Sequence, residues 1–467
     1  MLKTVIRPHR SALKADTTDE QKVFVMMKLI PSAEIASSRP PLALTLIIDT
    51  SASMRAFADQ KAAVQDAARA GGGHASFVDN ANYQSVDLNL PTLLDQAIEA
   101  AHALIDDPQL LPTDSIAIIH FDDDAHTLLP LTPLLHKAQA HQAVEELRNF
   151  AGETHLSKGL HLALQEVGRA TPDAAKRVFV LTDGAASDEA KCWPLLPSFS
   201  KINAPLIGIG FGEEYNEKLL TQMADATQGR PYHLKNMSDL ADEVLAREVA
   251  QTTREVVTDL RLKVSVVNGV SLDAITRVHP AIIDVSREEQ PYRLGNIAAG
   301  DYTIFVLEFS IAGIARPASH TGLAQLSLSG NVAGTNENRT LPPHDLVLEF
   351  VSDANASGAI DAEVLGYVQQ KNVGRLVEDA MRVAPNDPQR ARQSLQASSG
   401  MTQKLGNTPM TQMLGEALEE LDATGQISNQ TTKTVSLGMR TKTVKTQALN
   451  TEAGGLSPEE IRRLTGT

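Results

Sequence analysis

The sequence predicts a doubly wound, mostly parallel α/β sheet inserted into an antiparallel β-sandwich, with a small helical bundle towards the C-terminus. Three observations predict it. From Pro41 to about residue 250, short apolar runs alternate with longer stretches at helical spacing, the pattern of strands buried on both faces by helices. After Thr253 the pattern drops to period two, with Gly, Asn and Pro between the runs, as in a sandwich. The opening residues share that period-two texture. At 467 residues the chain is also too long for one core.

In chain order, "LKTVIRPHRSAL" and "QKVFVMMKLIPS" predict a strand pair over 1–40. A half-buried pair needs a sheet to lie on, so it is assigned to the later sandwich. Residues 41–250 form the α/β domain, with strands "LALTLII", "SIAIIHF", "RVFVLTD" and "APLIGIGFG". Helices are predicted in "LPTLLDQAIEAAHALIDD", "HKAQAHQAVEELRNFA", "LSKGLHLALQEVGRA" and "NEKLLTQMADATQ". Residues 251–353 complete the sandwich. Three helices over 357–425 make the bundle, and 426–467, poor in large apolar residues, reads as a flexible threonine-rich tail.

Composition narrows the function. The formal charge of −15 argues against nucleic-acid or anionic-membrane partners. One cysteine, Cys192, permits no intrachain disulfide framework. The N-terminus lacks a signal-type apolar core, and no apolar run approaches the ~18 residues of a membrane span. The expectation is a cytoplasmic protein. No phosphate loop and no G-x-S-x-G elbow occur, and Cys192 reads as a structural thiol.

The chemistry concentrates where the first α/β strand runs into Asp49, Ser51 and Ser53. One carboxylate and two hydroxyls at alternate positions suit a hard divalent cation such as Mg²⁺. Thr154, in a Gly-containing loop before a helix, and Asp183, at the end of "RVFVLTD" and followed by a glycine, supply further oxygens. In open α/β sheets ligands collect at such strand ends.

These residues resemble the von Willebrand factor A domain, a Rossmann-like fold, and its metal-ion-dependent adhesion site. Asp49, Ser51 and Ser53 match its first loop, Thr154 its second and Asp183 its third, and "LTLIID", "HFDDDAHTLLPLTPL" and "IGIGFG" match flanking features. The likeness runs from Pro41 to Lys235. It implies a cofactor of Mg²⁺ (or Mn²⁺ or Ca²⁺) and a protein partner that supplies an acidic side chain to the ion. Ser51 and Ser53 would then bind directly, Thr154 and Asp183 would exchange between direct and water-mediated contact, and Asp49 would organise the shell. The implied function is binding rather than catalysis.

One departure is an insertion, 55–90, before the first long helix. It is either a lid or specificity surface, with Phe77 and Tyr83 as partner contacts, or a surface helix and loop. His155 and His161 flank the Thr154 loop, and His120 and His126 flank Asp122–Asp124. The histidines read as surface or capping groups, since nothing in the sequence shows the convergence zinc requires. The acidic triplet reads as a hairpin turn, with a second cation site as the alternative.

In the tail, Thr431, Thr432, Thr434, Thr441, Thr443 and Thr446 lie among basic residues, a pattern that suits Ser/Thr kinases. It resembles tails of bacterial adhesion-site proteins that travel with kinases, phosphatases and forkhead-associated (FHA) domains. The expected function is a scaffold or regulated component of such a pathway. The alternatives are a subunit working with an AAA-type ATPase in metal insertion or remodelling, and a metal-dependent hydrolase.

Overall fold

Strands β1 (Leu2–Pro8), β2 (Ala12–Lys14) and β3 (Gln21–Pro31) open the chain in the computed structural model, which describes residues 2–32, 39–58, 90–212, 214–333, 335, 337–352 and 359–445. The chain divides into two units, Met1–Pro40 with Arg254–Thr467, and Pro41–Thr253.

The Pro41–Thr253 unit contains β4 (Leu42–Asp49), β5 (Ser115–Phe121), β6 (Ala125–Pro133), β7 (Ala175–Thr182), β8 (Leu206–Phe211) and β9 (Arg230–Leu234). They form one sheet in the order β6-β5-β4-β7-β8-β9. Every neighbouring pair is parallel except the β5–β6 hairpin, which turns through Asp122–Asp124. All eight positions of β4 are buried, and all eight of β7.

Its helices are α1 (Leu93–Ile105), α2 (Lys137–Glu146), α3 (Leu156–Val167), α4 (Glu189–Cys192), α5 (Leu196–Lys201), α6 (Glu217–Thr227) and α7 (Ala246–Thr252), the last preceded by a π-helical stretch, Leu240–Leu245. Because successive strand residues face opposite ways, β4 feeds two cores. Leu46 and Ile48 pack with α1, α2 and the π-helical stretch, while Ile47 packs with α3, α5 and α6. Gly159 lets α3 approach closely: a Cβ there would lie 2.8 Å from Ile47 Cγ2 and 3.2 Å from Phe121 Cβ. Deep in this unit Glu248 accepts hydrogen bonds from Arg230 (2.7 Å) and the Tyr232 hydroxyl (2.6 Å), with Arg177 Nε 3.7 Å away.

In the other unit, β10 (Glu255–Val266), β11 (Val270–His279), β12 (Ile283–Asp284), β13 (Tyr292–Ala298), β14 (Thr303–Ile311), β15 (Ser319–Val332), β16 (Asn338–Thr340) and β17 (His344–Val351) join the first three strands. One sheet runs β1-β3-β14-β11-β12 and the other β13-β10-β15-β17-β2, with β16 on β15. Val23, Val25, Met27 and Leu29 of β3 enter the core between the sheets. Phe24 and Met26, on the opposite face, pack with Val364, Tyr367 and Val368 of helix α8 (Ala362–Val383).

The sequence-based tail assignment needs correction. After α8 come α9 (Pro388–Lys404), α10 (Thr408–Thr424) and a further helix, α11 (Asn429–Thr441). Val435 and Met439 of α11 enter the bundle core beside Val373, Leu395, Met410 and Leu414. Among the described residues the bundle thus has four helices and runs to Thr441 rather than ending at 425. Beyond it Thr443 donates to the Pro280 carbonyl (2.8 Å) and Val444 N–H to Gln370 Oε1 (2.9 Å). No described helix is long and apolar enough to cross a membrane.

Candidate metal centre

The carboxyl ends of two parallel strands, β4 and β7, and the loop that precedes α3 supply the site. β4 ends at Asp49, whose Oδ1 accepts from Ser51 N–H at 2.8 Å, drawing the next residues into a tight turn. That turn continues as a 3₁₀ turn, Ala52–Arg55, and Ala52 N–H donates to the Gly152 carbonyl of the second loop (3.0 Å). β7 ends at Thr182, whose hydroxyl donates to Asp49 Oδ2 at 2.7 Å. Ser53 Oγ lies 3.1 Å from Ser51 Oγ and donates to Asp183 Oδ1 at 2.8 Å. A Cβ on Gly184 would lie 3.3 Å from Thr154 Oγ1 and 3.9 Å from Ser53 Oγ. Asp49, Ser51, Ser53, Thr154 and Asp183 therefore converge on one place.

The electrostatics fit a cation. Asp49 is completely buried and Asp183 nearly so. Burial, reinforced by the Asp183 carboxylate, pushes the Asp49 carboxyl up to about 7 against the hydrogen bonds from Ser51 and Thr182. Burial likewise raises Asp183, with the Ser53 hydroxyl opposing. Among the described residues, the hydrogen bonds to these carboxylates come from hydroxyls and backbone N–H groups and not from a basic side chain. Two shielded carboxylates among hydroxyls form an oxygen set for a hard divalent ion.

Other residues hold the loops. Ser187 ties down Thr154 through its N–H (2.9 Å) and hydroxyl (3.1 Å), both donating to the Thr154 carbonyl. Asp188 takes the Ser157 N–H at the start of α3. His120, read from the sequence as a surface or capping group, is instead fully buried. It stacks on Phe150 with ring centroids 3.6 Å apart, and its nitrogens meet Thr50 Oγ1 (3.2 Å) and His126 Nδ1 (3.0 Å). Thr182 and Thr50 lie next to ligand-type residues in sequence, and adjacency was the one signal that could have found them. Cys192 is buried, and burial pushes its thiol up to about 12.

Arg55 donates to the Arg148 and Phe150 carbonyls, both at 2.9 Å. The ends of the insertion are clasped: Ala58 N–H donates to the Pro91 carbonyl and Leu93 N–H to that of Ala56, each at 3.0 Å. The segment leaves and rejoins the domain at one place beside the first loop. Phe77 and Tyr83 lie outside the described residues, as does Thr446.

The remaining threonines do not stand in a free tail. Thr434 is buried in α11, its hydroxyl donating to the Gln430 carbonyl (2.8 Å), and Thr441 does the same to Leu437 (3.0 Å). Thr431 and Thr432 are half-buried in the first turns of that helix, and Thr443 is held by Pro280. A kinase needs an extended, accessible acceptor, and Thr434, Thr441 and Thr443 are engaged in the fold instead.

A family model described as von Willebrand factor type A domain matches residues 44–185, which span the three loops. A second model of the same description matches residues 366–439. Those residues fold as helices α8 to α11 with no strand, so they are not a second α/β sheet. Among curated proteins, the chain is 29% identical over 148 residues to the uncharacterized protein sll0103 of Synechocystis sp., covering 31% of this chain and 34% of that one. It is 26% identical over 162 residues to the uncharacterized protein YfbK of Escherichia coli, covering 33% and 28%. The chain thus spans about a third of the length of these relatives.

Among solved structures, a von Willebrand factor type A protein from Catenulispora acidiphila superposes with a TM-score of 0.73 at 18% identity, covering 94% of this chain and 97% of that one. The ArnB paralog VWA2 from Sulfolobus acidocaldarius does so with a TM-score of 0.57 at 16% identity, covering 95% and 99%. Both likenesses extend well beyond the α/β unit and concern the fold. The three-loop geometry and the family match thus fall on the same residues, and residues 44–185 of this chain are similar to a von Willebrand factor type A domain.

Proposed function

We propose that the protein is a metal-dependent protein-binding module whose docking point is the Asp49–Ser51–Ser53–Thr154–Asp183 cluster. The observation that supports this reading is the convergence of two buried carboxylates and three hydroxyls, with no basic side chain among the described residues bonded to the carboxylates. These five residues would hold Mg²⁺, which when bound supplies a coordination position for an acidic side chain of the partner. Ser51 and Ser53 contribute neutral oxygens, so the ligand set carries only the two negative charges of Asp49 and Asp183. Thr182 keeps Asp49 oriented, and Ser187 anchors the loop that presents Thr154. No bond-breaking step is needed. The kinase-linked reading drew on an exposed tail, and α11 removes most of that support.

The test is affinity capture from host lysate with wild type and Asp183→Ala, each in Mg²⁺ and in EDTA, beside direct Mg²⁺ titration of both proteins. The expected result is a partner held by wild type in Mg²⁺ and lost in the other three conditions. Capture of the same proteins in all four would overturn the metal–carboxylate reading.

A further inference from the structure

Thr154, which faces the cluster above, is flanked in sequence by Glu153 and His155. The structure brings both flanking residues to Asp123 of the β5–β6 hairpin. One ligand atom from each of Asp123, Glu153 and His155 lies within 4.8 Å of the other two. Three donors so spaced fit around one ion, since metal–nitrogen and metal–oxygen bonds of about 2.0–2.2 Å place ligand atoms well within that separation.

The arrangement is held by the backbone. Asp123 Oδ1 accepts from Glu153 N–H at 2.7 Å. The same carboxylate sits over Gly152, where a Cβ would come within 2.8 Å of Asp123 Cγ and 2.9 Å of its Oδ2. His155 N–H donates to the Asp122 carbonyl at 3.0 Å, locking the two loops together. The nearby cation, Lys158, is directed to the Asp124 carboxylate and the Asp123 carbonyl. His155 also carries an unexplained atom: its Nδ1 is shut off from solvent and has no hydrogen-bond partner. A buried ring nitrogen without a partner costs free energy, which an ion held at Nδ1 would recover.

We propose that Asp123, Glu153 and His155 form a second cation site adjoining the first, with Thr154 on one and its two neighbours on the other. Two carboxylates and an imidazole favour a borderline transition ion over Mg²⁺, and Zn²⁺ is the ion this set suits best. Three protein ligands leave a position open to water or to a group from outside. The inference does not depend on what docks at the first site.

The experiment uses the full chain carrying Asp183→Ala, which removes the first site's third-loop ligand. Zn²⁺ is titrated calorimetrically, and Co²⁺ is followed by its visible absorption, in that protein and in versions that add His155→Gln or Asp123→Asn. Thermal melting confirms that each is folded. Asp183→Ala should bind one ion at this place. Each added substitution should weaken binding by at least the ~10–100-fold that loss of an outer-shell partner costs. His102→Gln, in a separate surface cluster with His141 and Glu145, should leave this binding unchanged. Failure of the Asp183→Ala protein to bind Zn²⁺, or equal binding after His155→Gln and Asp123→Asn, would overturn the proposal.

Discussion

Gly159→Ala is the most informative single substitution, because it sets two effects of opposite sign against each other. The new Cβ would sit 2.8 Å from Ile47 Cγ2 and 3.2 Å from Phe121 Cβ. Carbons prefer about 3.5–4.0 Å, so α3 must move by roughly 0.7–1.2 Å relative to β4. Overpacking of that kind costs about 1–3 kcal/mol. Against it, alanine in a helix interior gains about 0.8–1 kcal/mol over glycine. Gly374 in α8 provides the control, because nothing lies within 4 Å of a Cβ built there. Gly374→Ala should therefore show the propensity gain alone, and the two variants should differ by about the overpacking cost, ~1–3 kcal/mol. Urea unfolding measures both, each on the transition of its own unit. The moved helix begins two residues after Thr154, so Gly159→Ala should also weaken Mn²⁺ binding in calorimetry. If Gly159→Ala stabilises as Gly374→Ala does, the close approach of α3 to β4 is wrong.

Three further outcomes are expected. Glu248→Ala removes the carboxylate that faces the buried Arg230 and Arg177, which costs about 3–5 kcal/mol and lowers the melting temperature of that unit by roughly 6–20 °C; a change below about 2 °C would contradict the network. Burial holds the His120 imidazole down to about 4 from its ordinary 6.5, so the unfolded chain takes a proton first as pH falls. The stability His120 contributes is complete above about 6.5 and is lost towards 4. The stability gap between wild type and His120→Gln should shrink over that window, and a gap independent of pH would refute it. Met439→Ala should destabilise the bundle by about 2–5 kcal/mol in denaturant titration, whereas no effect would return this segment to a tail.

Burial on both faces made β4 and β7 legible, since each is dominated by apolar residues, Leu42–Ile48 with only Thr45 between and Val178–Leu181 after Lys176 and Arg177. The metal cluster was legible for a different reason: Asp49, Ser51, Ser53 and Asp183 stand just at or after the ends of those runs, where the chain must turn, and Thr154 stands in a loop just before a helix. α11 was not, because its core contribution rests on few apolar residues, chiefly Val435, Leu437 and Met439. Thr434 and Thr441 satisfy their hydroxyls by bonding back one turn, which local composition does not reveal. The burial of His120 depends on Thr50 and His126 meeting its two nitrogens, a partnership across separate elements. Asp123 and Glu153 are thirty residues apart, and the hydrogen bonds between their loops bring them together.

The pairing of β3 with β14 has a consequence for the nascent chain. Leu29 finds its partner Thr303 only after the whole intervening unit has been made. At ~5–20 residues per second, that interval of about 270 residues lasts roughly 15–55 s. Throughout it "VFVMMKLI" has β1 on one edge and nothing of its final sheet on the other, a sticky strand waiting on the ribosome. Slow elongation should therefore hurt the yield of this protein more than that of a chain whose sandwich strands are contiguous.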